Sequence, residues 1–308
     1  MGMKCMILVL GEGMLELSRA SADGQGWSLG HGGDTLNTAV HLARLGDQVA
    51  FVTALGSDPF SLTLRTDWTG EGLDLSLLRT DPDRRPALYA ITTDADGERS
   101  FTYWRSDSAA RWMFALGDNA DLLAAGATAE LLYFSMISLA ILPPGGRETL
   151  FELCARVRSG GGRVAFDSNY RPALWENVEV ARAAHLRAIA VTDIGLPTRE
   201  DEHALIGLDD PAAIDRAWRD HGVGEVVVKL GADGCFANGA IRPVPAPIAA
   251  IDTTGAGDAF NAGYLHARLA GRSVEDSVMA GHRLAGYVIG RRGGIPAISA
   301  DARYADLR

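Results

Sequence analysis

Short, mostly apolar runs recur along the chain at 6–10, 49–53, 131–135, 164–167, 188–192 and 226–229. Unbroken runs of this length predict strands buried on both faces. Between several of them the apolar positions take helical spacing, at 35–45, 59–71, 145–158, 211–221 and 258–270. Buried strands alternating with helices predict an α/β fold with a mostly parallel central sheet and helices on both faces. In such sheets ligands gather at the carboxyl ends of the strands. Two regions break the rhythm. Residues 16–31 are polar and Gly-rich with weak alternation. Residues 86–105 hold two alternating segments, ALYAITT and RSFTYWR, joined by Asp94-Ala95-Asp96-Gly97. Asp-Gly between alternating segments is a hairpin signal. These regions predict a small lid of antiparallel strands, from about 13–33 and 84–106, on a single domain spanning 1–308.

Composition changes this picture little: 47% of the 308 residues are hydrophobic and 22% charged, ordinary for a globular chain. The net charge of −10 argues against nucleic acid as the main partner. It leaves room for a small anion held by a local pair of arginines. Cys5, Cys154 and Cys235 are far apart and form no CxxC pair, so buried free thiols in a reducing cytoplasm are expected. The first apolar run is too short to span a membrane and ends in Gly11-Glu12-Gly13 rather than a cleavage site. The expectation is a cytoplasmic protein without a membrane partner.

Gly11-Glu12-Gly13 after a strand raises dinucleotide binding, but the third glycine of that fingerprint is replaced by Glu16. A Walker-type phosphate loop is excluded, because the only lysines, Lys4 and Lys229, do not follow glycine. The informative stretch is IDTTGAGDAFNAGY at 251–264, where a helix starts at about 255 and stops at Gly271. One reading is a capped surface helix, with Thr254 as N-cap and Asp258 favouring the helix dipole. That leaves Gly255 and Gly257 unexplained, each costing about 0.8–1 kcal/mol against alanine inside a helix. Glycines there bare the unpaired N–H groups of the first turn, so Gly255, Ala256 and Gly257 form a candidate anion hole. Asp258 beside it suits a base that takes the proton of an attacking hydroxyl. The helix start is expected to keep that acid ionised and weakly basic. A weak base suffices where phosphoryl transfer rests on positioning and charge stabilisation.

DTTGAGDAFNAG resembles the C-terminal signature of the ribokinase-like (PfkB-type) carbohydrate kinases. Gly32-Gly33-Asp34-Thr35-Leu36-Asn37, followed by AVHLARLG, resembles their N-terminal sugar-binding signature, and the likeness extends along nearly the whole chain. The resemblance implies a ribokinase-like three-layer sandwich with a β lid, ATP as donor and Mg²⁺ as helper. It implies Asp258 as catalytic base, the amides of Gly255, Ala256 and Gly257 as anion hole, and Thr253 near the ATP phosphates. VVVKLGADG at 226–234 resembles the nucleotide-side strand and turn, with Lys229, Gly231 and Gly234; by itself Lys229 is a strand-end lysine. In TRED, Thr198 and Asp201 stand in for the family's Asn/Ser-x-x-Glu element, which organises metal and phosphates. By themselves these residues also fit a solvated acidic run opening a helix. His282 stands where many members carry an Asn beside the nucleotide. An exposed lid often serves as a dimer surface in this family, so the resemblance makes the lid a candidate homo-oligomer surface and leaves the oligomeric state open.

Alternation places Phe101, Tyr103 and Arg105 on one strand face, and Ala87, Tyr89 and Ile91 on another. Tyr89 and Tyr103 by themselves fit lid packing. Arg171 follows a core strand and so lies at its carboxyl end. Two converging arginines suit an acceptor bearing a carboxylate, which Arg grips bidentately. GEGMLELS, GGDTLNTAVHLARLG, YWR, SLAIL and DSNYRPALW resemble the family members that phosphorylate 2-keto-3-deoxygluconate at its terminal hydroxyl. The contacts this implies are Gly33, Asp34, Asn37, Tyr89, Tyr103, Arg105 and Arg171. Kinases of other sugars or sugar acids, and a non-catalytic sugar-acid sensor, are the alternatives; an intact base and anion hole weigh against the sensor.

Overall fold

The computed structural model describes residues 6–19, 26–93, 99–246, 248–298 and 304. Cys5 and the predicted turn at 94–97 lie outside them. An eight-stranded sheet runs in the order Ala240–Arg242, Cys235–Ala237, Glu225–Lys229, Ile194–Gly195, Arg163–Asp167, Leu131–Ser135, Met6–Leu10, Gln48–Val52. Pairing is parallel from Gln48–Val52 to Glu225–Lys229; the last two strands join antiparallel.

Each strand sends alternate side chains to opposite faces, and the two faces seed two cores. Leu8, Leu132, Phe134, Val164, Phe166 and Val228 pack against the helices Pro144–Ser159, Val178–Ala190 and Pro211–Asp220. Ile7, Val9, Tyr133, Ala165 and Val227 pack against Asp34–Leu45, Pro59–Gly70, Ala256–Leu269 and Val274–Ile289. The result is the expected three-layer α/β sandwich. Two of the helices open on Asp-Pro. Asp58 accepts from the Phe60 and Ser61 amides, and Asp210 from those of Ala212 and Ala213, while the proline fills a position that needs no donor.

One predicted strand is not a strand. Residues 188–192 end the Val178–Ala190 helix, and the sheet strand is the short Ile194–Gly195. Ala181, Ala184 and Ala188 lie on the buried helix face, and a short apolar run cannot by itself separate a buried helix end from a strand.

The two irregular regions form a separate four-stranded sheet in the order Trp27–Gly32, Met14–Arg19, Ala87–Thr93, Arg99–Trp104. Its outer pairs are antiparallel, as expected, but its central pair is parallel. The two hairpins come from distant parts of the chain, and Met14–Arg19 and Ala87–Thr93 run in the same direction. Cys154 and Cys235 are buried free thiols. Among the described residues no helix is long and apolar enough to cross a membrane.

Candidate active site

A cleft of about 940 Å³ lies where the carboxyl-end residues Asp167 and Lys229, the start of the Ala256–Leu269 helix and the four-stranded sheet meet. The helix is not capped by Thr254. Its N-cap is Gly255, in the left-handed region at φ 71°, with no side-chain cap bond. A Cβ there would lie 2.7 Å from Gly294 Cα, so both conformation and space demand glycine. Asp252 fixes the preceding loop: its carboxylate accepts from the Thr254 amide at 2.9 Å and the Gly293 amide at 2.7 Å. The Ala256 amide is partly engaged, donating to Thr253 O at 3.2 Å. Gly257 is exposed, and a Cβ on it would lie 3.7 Å from Lys229 Nζ. The helix mouth thus faces a lysine ammonium, a second feature favouring an anion.

Asp258 lies one residue deeper and is buried. Its Oδ2 accepts from Asn37 Nδ2 at 2.8 Å. The expectation of a well-ionised acid is corrected here. Burial, then the nearby Asp34, pushes the Asp258 carboxyl up to about 8, against the smaller pull of Asn37 and Lys229. Desolvation of a carboxylate beside other acids disfavours its charged form. Asp34 is raised as well, chiefly by burial, although Ser135 Oγ donates to it and Asn169 Nδ2 donates at 3.1 Å.

The cleft holds three further polar groups. Lys229 Nζ pairs with Asp167 Oδ2 at 2.8 Å, and Asn261 Nδ2 donates to the same oxygen at 2.6 Å. Arg171 donates to Asp201 Oδ1 at 3.2 Å; burial pushes Asp201 up to about 6, with Arg171 opposing. Arg105 is buried, ion-paired to Glu12, and its Nε has no partner among the described residues. Glu12 also accepts from Ser108 Oγ.

Gly33, Asp34, Asn37, Tyr89, Tyr103, Arg105, Arg171, Thr198, Asp201, Lys229, Thr253, Gly255, Ala256, Gly257 and Asp258 all line this one cleft. Three predicted nucleotide residues do not line it. Gly231 and Gly234 sit in the turn after Glu225–Lys229, outside the wall. His282 is buried against Phe260 and Cys235, with burial lowering its pKa, and also lies off the wall. Gly231 and Gly234 follow the Glu225–Lys229 strand and His282 lies on the Val274–Ile289 helix, next to the cleft rather than on its wall. Asp167, Asn169 and Glu200 line the cleft and were not singled out from the sequence. For Asp167 a signal existed: it ends a core strand, the position the sheet geometry favours for ligands.

Among the described residues no three His, Cys, Asp or Glu side chains group to hold a metal. The separate carboxylates of Asp167 and Asp201 match Mg²⁺, which is held by one or two carboxylates together with phosphates and water.

A profile of pfkB family carbohydrate kinases matches residues 4–301. The chain belongs to this family. Among family relatives it is 44% identical over 300 residues to 2-dehydro-3-deoxygluconokinase of Escherichia coli (strain K12), covering 94% of this chain and 96% of that one. It is 42% identical over 303 residues to the 2-dehydro-3-deoxygluconokinase of Dickeya dadantii (strain 3937), with 94% and 96% covered. Among solved structures, aminoimidazole riboside kinase from Salmonella enterica, complexed with aminoimidazole riboside and an ATP analog, is similar at a TM-score of 0.82. The identity is 25%, and 98% of this chain and 99% of that chain are covered. The ribokinase-like fold of this carbohydrate kinase agrees with the resemblance read from its motifs.

Proposed function

We propose that the protein transfers the γ-phosphoryl group of ATP to the terminal hydroxyl of 2-keto-3-deoxygluconate, giving the 6-phosphate and ADP. The observation that carries this reading is the full-length similarity, above 40% identity, to kinases of that name. The cleft supports it independently, because Arg105 and Arg171 line the wall that also holds Asp258. Guanidinium groups on that wall suit a carboxylate, which arginine grips bidentately.

In this reading Asp258 takes the proton from the attacking hydroxyl. A base with a pKa near the working pH is matched to that task. Asn37 holds its carboxylate in place. The amides of Gly255 and Gly257, with Ala256 contributing less, face the charge that develops on the transferring group, and Lys229 adds a full positive charge beside them. Thr253 and Thr198 line the phosphate side. Asp201, with Asp167, would hold Mg²⁺, which when bound neutralises phosphate charge. The protein works in the cytoplasm, where ATP is supplied.

An ATP-coupled assay across 2-keto-3-deoxygluconate, its galacto epimer, 2-ketogluconate, fructose and ribose tests the reading. The expected order puts 2-keto-3-deoxygluconate first in kcat/KM. A preference for fructose or ribose over every acid overturns it.

A further inference from the structure

Tyr89 reaches the cleft from the four-stranded sheet with its hydroxyl already engaged. It donates to Oε2 of Glu16 on the adjacent strand. The two residues are register partners in the parallel pair Met14–Arg19 and Ala87–Thr93, so the contact is fixed by backbone pairing. Gly32, on the next strand, leaves the room: a Cβ there would collide with the Tyr89 hydroxyl and lie 3.5 Å from Glu16 Oε2. The ring is held from the other side by Tyr103, at a centroid distance of 5.9 Å. Glu16 itself does not line the cleft, whereas Tyr89 does.

A phenol has one proton to donate, and an ionised carboxylate only accepts. Once Tyr89 donates its one hydrogen bond to Glu16, its oxygen offers the cleft lone pairs alone. We propose that Glu16 is a positioning residue that fixes Tyr89 as a hydrogen-bond acceptor, so that Tyr89 reads a hydroxyl of the acceptor substrate and the arginines take its carboxylate. A substrate carboxylate placed against Tyr89 would meet lone pairs, with the Glu16 charge behind them. Burial and the Glu16 charge both raise the Tyr89 pKa, which keeps the proton on the phenol. The inference rests on the sugar-acid reading and deepens it, since it divides the acceptor's polar groups between two sets of residues.

The test is steady-state kinetics of the full chain with ATP. The acceptors are 2-keto-3-deoxygluconate, its analogues lacking the C4 or the C5 hydroxyl, and 3-deoxyfructose, which replaces the carboxylate with a neutral group. Tyr89→Phe is expected to lower kcat/KM for the parent acid by about three- to tenfold, the worth of one hydrogen bond. It should cost nothing further with one of the two deoxy analogues, and leave the preference for acid over 3-deoxyfructose intact. Glu16→Gln should produce a similar loss in the native background and none in the Tyr89→Phe background. Loss of the acid preference in Tyr89→Phe overturns the proposal, because Tyr89 would then be donating to the carboxylate. Additive losses from the two substitutions overturn it as well, since Glu16 would not be acting through Tyr89. If Glu16→Gln does not fold, Glu16→Asp, which draws the carboxylate back from the Tyr89 hydroxyl, takes its place in the same cycle with the same outcomes. A native enzyme that ignores 2-keto-3-deoxygluconate refutes the functional reading instead, and the same cycle is then run on the acceptor it does use.

Discussion

Asn37 and Asp258, 221 positions apart in the chain, are joined by a hydrogen bond of 2.8 Å between Asn37 Nδ2 and Asp258 Oδ2. The bond ties the first family motif to the second and favours the ionised acid against burial. The base acts only when ionised, and burial pushes it to about 8 in the free protein. The profile of kcat/KM against pH should therefore rise through about 8 and level above it. Asn37→Ala removes a donor to the carboxylate and should move the rise to higher pH. A limb at the ordinary carboxylate value of about 4 would refute the assignment.

Asp258→Asn should abolish turnover while acceptor and ATP binding, measured by calorimetry, largely persist. Substantial residual turnover removes the base role.

The same substitution makes a stability prediction of definite sign. Native Asp258 keeps its proton up to about 8, whereas the unfolded acid loses it near the ordinary value of 3.8. Between those values the native state binds more protons, so this group makes the protein less stable as pH rises. Asp258→Asn removes that dependence. The melting temperature of the variant relative to native should be higher at pH 8 than at pH 5. An unchanged difference between the two pH values would show that Asp258 is not held protonated.

The arginines differ as test sites. Arg105 is buried against Glu12, and its removal leaves that acid uncompensated, a loss of about 3–5 kcal/mol in stability. Arg171, with its side chain 54% exposed, is the cleaner probe. Arg171→Ala should raise KM for the sugar acid by about one to two decades, and for a neutral analogue far less. Equal effects on both acceptors would refute a carboxylate contact.

Lys229→Met should lower kcat/KM for ATP by about one to two decades, with Lys229→Arg recovering part of it. The methionine variant also leaves Asp167 without its ammonium partner, so its melting temperature should fall. Unchanged ATP kinetics in a folded Lys229→Met would confine the lysine to a structural role.

The sequence by itself determined the layered α/β architecture, because Leu8 with Phe134 and Val9 with Tyr133 alternate between two cores by simple strand periodicity. It also marked the helix mouth at 255–258, since glycines in a first turn need a reason. The tertiary structure decided what depends on enclosure and facing. It turned His282 into the core and placed Gly231 and Gly234 off the wall. It put Asp167 against Lys229 and paired Arg171 with Asp201. It also reversed the expected ionisation of Asp258. Local sequence shows the helix end that favours a charge. Only the assembled fold shows how much water is removed from the carboxylate and which other acids remain beside it, and for Asp258 both raise the pKa.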